Sequence, residues 1–502
     1  MWLLLAVFAP LLGALGLPLL ARLVPKAPAR VLGVGSLGFA IATLTGVVGT
    51  VLERPKVSLE WIPALGVRFD LAVDGISAPL LLLTGLMGVV ATAVPAHIDA
   101  DNAPGAAVES SRLALYYACL LGTIFGAVIC FLAGDALVFF IGFECVLLPM
   151  WLLIAQFGDP APQALARAAS LRFLMVTALG STLMLIGLLA VAASTGTTNL
   201  QVWAQLAGST FSRPQGLVVA GLLVLGLSFK VPVWPLHTWL PWVHSSAPSA
   251  GSILLAAVLL KLGTYGLVRL VIPVVPAGFA TIAPVLGGFA VVGIIWAGLA
   301  CLVERDLKRL IAWSSIAHLG FVVLGLASGT EAGMQAALFG NVAHGVISGL
   351  LFVVVGALKH EWGGADLGTP HASLREAAPH WGFALIFGFA ASMGLPGLAG
   401  FWGEFGAIYA AWTPAPGRPG GFFVLLAVGA AVGAALAAAY SARVLREVWG
   451  GERTKPAIAD AGRIELLVVA ALVVIVVGLG VYPSLLLDST APVVSTLLTG
   501  AP

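Results

Sequence analysis

Residues 221–241 read Gly-Leu-Leu-Val-Leu-Gly-Leu-Ser-Phe-Lys-Val-Pro-Val-Trp-Pro-Leu-His-Thr-Trp-Leu-Pro. An oily run leads up to a lysine, Lys230, and two prolines follow it closely. A charge at the centre of a bilayer costs about 2.5–3.5 kcal/mol even on a lenient insertion scale. Pro232 removes the helical bond to the Ser228 carbonyl, and Pro235 removes the one to Val231. Broken backbone at membrane depth persists only where it lines a hydrated or protein-walled cavity. A charge beside such a break marks an ion pathway. The freed carbonyls and the negative helix end favour a cation there. Burial opposes it, and a lysine under both influences can load and release a proton. The competing reading is a lysine that snorkels to the interface.

The composition around this stretch sets the class. The chain has 502 residues, 60% hydrophobic and 9% charged, against roughly 25% charged in soluble proteins. It reads as a polytopic, all-α membrane protein. A net charge of +2 gives no basis for a nucleic-acid partner. Cys119, Cys130, Cys145 and Cys301 fall in apolar runs without a C-x-x-C pair, so they read as small buried hydrophobes. They offer no zinc or iron–sulfur site. Met1 to Val24 lacks a positive leading region and reads as a first span, not a cleaved signal.

Apolar segments of membrane-crossing length fall near 2–24, 31–52, 74–96, 111–132, 135–157, 168–193, 215–243, 249–271, 280–302, 307–328, 332–358, 378–412, 421–445 and 464–486. That predicts about fourteen helices, the seventh and twelfth broken by proline and glycine. Plain loops join them, with turn chemistry such as Pro414-Ala415-Pro416-Gly417. Odd-numbered loops and their edges hold 16 of the 24 lysines and arginines, and even-numbered loops hold 6. Odd loops are therefore expected in the cytoplasm and both termini on the other side. Glu144 and His318 are 174 residues apart, as are Lys230 and Glu404. Five spans separate the two members of each pair, so a second copy would be inverted, a common transporter plan. The expected division is a three-helix segment at 1–110, a repeat at 111–271, an inverted repeat at 280–445, and a last helix with its tail at 446–502.

Few ionisable groups lie inside the spans. Glu144, in Phe-Phe-Ile-Gly-Phe-Glu-Cys-Val-Leu-Leu-Pro-Met (139–150), must face the interior and find a partner. Lys230 is the natural candidate, as a switchable or a static pair. Lys261, in Leu-Leu-Lys-Leu-Gly-Thr-Tyr-Gly (259–266), is a second lysine at mid-span. Glu404 follows Met-Gly-Leu-Pro-Gly-Leu-Ala-Gly-Phe-Trp-Gly (393–403), where the restarted helix favours an anion near its first turn. His237, His244, His318 and His344 suit neutral relays, because an imidazole passes a proton between its nitrogens. His237 and His244 would share a face if the helix resumes after Pro235, and Ser348 lies one turn beyond His344. Glu304-Arg305-Asp306-Leu307-Lys308-Arg309 reads as a loop that anchors topology. No dinucleotide fingerprint, P-loop, Ser/His/Asp set or haem signature is present, so no redox chemistry is expected of this chain.

At these residues the chain resembles the antiporter-like membrane subunits of respiratory complex I, and among them subunit M, or chain 4. The resemblance runs over roughly 110–450. It is carried by 230–252, continuing to Leu-Leu-Lys (259–261), by Asp-Leu-Lys-Arg-Leu-Ile-Ala-Trp-Ser-Ser-Ile-Ala-His-Leu-Gly (306–320), and by Gly-Leu-Pro-Gly-Leu-Ala-Gly-Phe-Trp-Gly-Glu-Phe (394–405). It implies Glu144 and Lys230 as a coupled pair, Lys261 as central proton carrier, Glu404 as the distal one, and His237, His318 and His344 near the relay. Glu404 favours subunit M, since sister subunits and Mrp antiporters more often carry lysine there. Trp242 stands where relatives often have an acid. The resemblance further implies a prokaryotic plasma-membrane protein without cofactors of its own. NADH, FMN, iron–sulfur clusters and quinone would sit in partner subunits, and its neighbours would be the sister subunits L and N. An Mrp-type Na⁺/H⁺ antiporter and the membrane arm of an energy-converting hydrogenase are the alternatives.

Overall fold

The computed structural model describes residues 1–24, 27–94, 110–158, 163–206, 210–367, 373–449 and 458–499. Among them, 11 helices are long and apolar enough to cross a membrane. In hydrocarbon the backbone must bond to itself, so apolar runs of this length fold as helices. Their burial sorts them into centre and rim. Within an apolar 18-residue stretch of each crossing, 94% of the residues of Ser249–Val271 and Glu331–Trp362 are buried, and 89% of those of Leu307–Ser328. The same share is 33% for Ala29–Glu53 and Gly420–Trp449, and 28% for Arg463–Val481. The three central helices carry Lys261, His344 and His318.

Some crossings are shorter or broken, Ala136–Phe157 among the long ones included, for identifiable reasons. Ser77–Ala93 has 17 residues. The fifth apolar segment divides into Ala136–Cys145 and Leu147–Phe157, because Pro149 cannot donate to the Cys145 carbonyl. The Ser110–Leu132 helix packs tightly on that break: a Cβ on Gly126 would lie 2.9 Å from the Val146 nitrogen. The seventh runs Arg213–Lys230, then a 3₁₀ turn at Leu236–Thr238, then Trp239–Ser246. Of the two carbonyls expected to be freed there, that of Ser228 is engaged, as is the neighbouring carbonyl of Phe229. Val233 N–H donates to Ser228 at 3.1 Å, and the Trp239 indole donates to Phe229 at 3.0 Å. The twelfth divides into Pro379–Ser392 and Ala399–Trp412. Gly394 (φ 71°) and Gly397 (φ 90°) take left-handed conformations in the gap.

Two features depart from the sequence reading. The loop between the second and third spans is not plain. It holds an antiparallel hairpin, Val57–Ile62 with Val67–Leu71, turned at Gly66 (φ 64°). The fold is thus mostly helical, not wholly so. The C-terminal tail also forms a second helix, Ser484–Thr499. It packs back on the centre, where the Thr490 hydroxyl donates to Gln335 at 2.5 Å.

The hairpin is tied to the bundle by a buried acid. Asp135 caps Ala136–Cys145 by accepting from the N–H groups of Leu137 and Val138. It also accepts the Thr198 hydroxyl at 2.5 Å and the Arg68 N–H at 3.3 Å. Asn199 completes the clasp by donating to Asp70 at 3.0 Å. An Asp135→Ala variant should lose about 1–2 kcal/mol through the cap alone. It should melt earlier in detergent and be cleaved faster by protease within 57–71; an unchanged melting curve would dismiss the clasp as a stabilising element.

Candidate proton-transfer site

Lys261 is fully buried. Its crossing begins as an α-helix, passes through a π segment at Leu255–Leu259, returns to α over Leu260–Gly266, and ends in a second π segment at Leu267–Val271. A π turn shifts the hydrogen-bond ladder by one residue and leaves carbonyls free for side chains. The Ala256 carbonyl is used in this way: Lys261 Nζ donates to it at 2.5 Å. The same ammonium lies 2.5 Å from Nδ1 of His344, on the facing Glu331–Trp362 helix. Beside this contact the Thr264 hydroxyl donates to Asn341 Oδ1 at 3.0 Å, fastening the same two helices.

Two further ionisable groups follow His344. The rings of His344 and His318 are 5.6 Å apart, centre to centre. His318 Nδ1 lies 2.9 Å from Glu404 Oε1. That is close enough for an ion pair, though not aligned as a hydrogen bond, since the same oxygen makes none. His318 Nε2 shares a 2.9 Å hydrogen bond with the Ser392 hydroxyl, at the end of the first half of the broken twelfth crossing. Glu404 does not point at the first turn of its own half-helix. Its carboxylate reaches back to the break, where a Cβ on Gly394 would come within 2.8 Å of Oε2. His318, His344, Ser392 and Glu404 line one cavity of ≈ 20 Å³, room for about one water.

Lys261, His344, His318 and Glu404 therefore follow one another in a row, with close contacts at Lys261–His344 and His318–Glu404 and ring-to-ring proximity between. Where Lys261 donates into Nδ1 of His344, a neutral His344 carries its own proton on Nε2. That nitrogen has no hydrogen-bond partner in the protein. Taking a proton at Nδ1 and releasing one from Nε2 moves charge across the ring without moving the ring.

The remaining predicted residues are arranged differently. Lys230 is 1% exposed, and its ammonium makes no hydrogen bond. It lies over the rings of Phe143 at 4.9 Å and Phe173 at 5.7 Å. Glu144, half-buried at the kink in its crossing, is within electrostatic reach of Lys230. No ion pair within 4.0 Å joins them among the described residues. A buried ammonium costs several kcal/mol, and two aromatic faces return about 1–2 kcal/mol each at best. Lys230 thus rests in a position that its surroundings do not fully compensate.

His237 and His244 do not converge on one helix face. His237 sits in the 3₁₀ turn, 5.5 Å from the Trp313 ring, while His244 stacks on Phe352 at 4.6 Å. Ser348 does not serve His344; its hydroxyl donates to the Gly345 carbonyl. Sequence reasoning missed Thr264, Asn341, Ser392 and Ala256. The asparagine at 341, one turn before His344, was the signal that could have been read.

Comparison with known proteins places the chain in a family. Residues 133–431 match the family described as NADH:quinone oxidoreductase/Mrp antiporter, TM. The chain is 34% identical to NAD(P)H-quinone oxidoreductase chain 4 1 of Thermosynechococcus vestitus, over 97% of this chain and 90% of that one. Among solved structures it resembles a chain of respiratory complex I from Thermus thermophilus, with a TM-score of 0.84, 25% identity and 99% of each chain covered. It shares the fold of a chain of the Mrp complex from Dietzia sp., with a TM-score of 0.82 and 24% identity, covering 97% of this chain and 52% of that one.

The two glycines of the twelfth break make a controlled pair. Both have positive φ, but nothing lies within 4 Å of a Cβ on Gly397. Gly394→Ala and Gly397→Ala should each lose about 1–2 kcal/mol from left-handed backbone. Only Gly394→Ala should displace the Glu404 carboxylate from His318, visible in a density map; identical maps for the two variants would refute the contact.

Proposed function

The chain belongs to the NADH:quinone oxidoreductase/Mrp antiporter family of membrane proteins, and on that premise we propose that it is the chain 4 (subunit M) type proton-translocating subunit of an NADH–quinone oxidoreductase. In this reading electrons never enter the chain. NADH, FMN, iron–sulfur clusters and quinone belong to partner subunits, and this one spends the energy of their reaction on moving protons. Its neighbours are membrane-arm subunits, with the sister chains L and N as the ones expected on its flanks. It lies in a prokaryotic plasma membrane with both termini on the non-cytoplasmic side, the orientation that its loop lysines and arginines favour.

One observation supports the proposal: the row of ionisable groups from Lys261 through His344 and His318, on the most buried helices, to Glu404 at the twelfth break. Protons cross the membrane in steps between groups that can each hold one, and these four are in contact or separated by about one water. Lys230 and Glu144 form the other half of the mechanism. When Glu144 draws closer, Lys230 holds its proton; when it draws away, the poorly compensated ammonium gives it up. His237 stands near this half, on the turn that follows Lys230.

The architecture supports the same reading. The 17-residue helix and the seventh and twelfth crossings, taken with the 11 long helices among the described residues, fit the fourteen expected from the sequence. The units expected at 111–271 and 280–445 would each hold a crossing interrupted by a proline pair or by proline and glycine, with a buried charge beside it, Lys230 at the seventh and Glu404 at the twelfth. A three-helix segment at 1–110 precedes them, and 446–502 follows.

The test is made in the assembled complex. Lys261→Met, Glu404→Gln, Lys230→Ala and Glu144→Gln should each leave assembly intact. Each should abolish or strongly reduce proton uptake into vesicles driven by NADH, with no dependence on a sodium gradient. Pumping at the wild-type level in Lys261→Met or Lys230→Ala would remove that residue from the mechanism. Pumping that requires sodium would point to an exchanger instead.

A further inference from the structure

Lys308 belongs to a loop cluster whose sequence suggests an exposed anchor, yet it is 2% exposed. It lies in the first turn of Leu307–Ser328, and its ammonium reaches across to donate to the Ala247 carbonyl at 2.8 Å. Ala247 ends the Trp239–Ser246 helix, and Pro248 follows it. The lysine therefore meets the negative end of a helix dipole at the corner where the seventh crossing passes into the eighth. Three residues before Ala247 is His244, 0% exposed, with neither ring nitrogen hydrogen-bonded. A buried imidazole N–H without a partner is costly to leave unmade, so such a nitrogen is one to be explained. His244 is within electrostatic reach of both Lys308 and Lys261.

The Glu331–Trp362 helix shows what lies between. His344, Ser348 and Phe352 succeed one another at four-residue spacing and so share a face about 12 Å long. Phe352 stacks on His244 at one end, and His344 meets Lys261 at the other. On the outer side, Arg305 is exposed and Asp306 half-exposed. Burial raises the Asp306 carboxyl above the usual range, against the Arg309 N–H that it accepts and the charge of Lys308.

We propose that Lys308 and His244 form an uptake branch that loads Lys261 from the side of the 304–306 loop. Lys308 gives up a proton from Nζ, His244 takes it on one ring nitrogen and releases one from the other, and Lys261 or His344 receives it. Lys308 is then reprotonated from the Asp306 side. This branch rests on the proton-translocating role proposed above, and it extends the line beyond Lys261 at the end away from Glu404.

Three variants in the assembled complex test it. Lys308→Arg keeps charge and donors but cannot release a proton. Lys308→Gln keeps a donor for Ala247 without a titratable group. His244→Phe keeps the stacking on Phe352 without nitrogens. Each should assemble and lose roughly a hundredfold or more in NADH-driven pumping rate, with a larger solvent deuterium isotope effect on what remains. A merely structural Lys308 would leave Lys308→Arg pumping normally with an unchanged isotope effect, and that result overturns the branch. Should the Lys308 variants fail to assemble, His244→Phe decides alone: wild-type pumping rejects the branch. Lys261→Met separates the two levels. Loss there with normal pumping in the uptake variants defeats only this inference, whereas normal pumping in Lys261→Met defeats the underlying function.

Discussion

A hydrocarbon interior offers no solvent to a peptide group or a charge, so every one that enters must be satisfied by the protein itself. The architecture follows from how this chain meets that demand at four irregular points. Pro149, the pair Pro232 and Pro235, the π segments around Lys261, and the Gly394–Gly397 break each leave backbone groups without their usual helical partners. At each point an ionisable side chain stands close by: Glu144, Lys230, Lys261 and Glu404. The freed backbone and the charge answer each other most directly at Lys261, where a lone carbonyl and a buried ammonium meet at 2.5 Å. The breaks are thus what permits charge to lie in the interior.

The two halves of the site hold their charges in contrasting ways. Lys261 is held by a carbonyl and an imidazole, with Thr264 and Asn341 bracing the contact. Lys230 has aromatic faces and a more distant carboxylate, and its neighbouring carbonyls are engaged by Val233 and Trp239. A proton carrier needs groups of both kinds. A firmly held group stores a proton, and a loosely held one responds when a neighbouring charge moves. Helix packing keeps the halves in register: a Cβ on Gly263, two residues after Lys261, would meet Lys230 Cβ at 3.1 Å.

Much of this was legible in the sequence, because charge is so scarce among these spans that each buried ionisable residue announces itself. Glu144, Lys230, Lys261 and Glu404 stand out by composition alone, and the prolines say where the helices break. Other features carry no such mark. The 57–71 hairpin alternates too weakly to be told from a loop, and its anchor, Asp135, lies far away in sequence. The π segments have no composition of their own. Lys308 misled for the opposite reason. Its charged neighbours imply a solvated loop, but its position in the first turn of a central helix carries the side chain inward to a helix end that only tertiary structure places there.

The Glu331–Trp362 helix explains why these groups can act together. It presents Asn341 to Thr264, His344 to Lys261 and to His318, and Phe352 to His244. A helix so deeply buried has little freedom to shift without moving its neighbours. Cores at protein density pass displacement on instead of absorbing it. A small rotation of this helix would lengthen the 2.5 Å contact between His344 and Lys261 and change the His344–His318 spacing in the same motion. In the proposed relay, where proton transfer falls off sharply once a hydrogen bond opens, such a shift would alter the connection without any large movement of the chain.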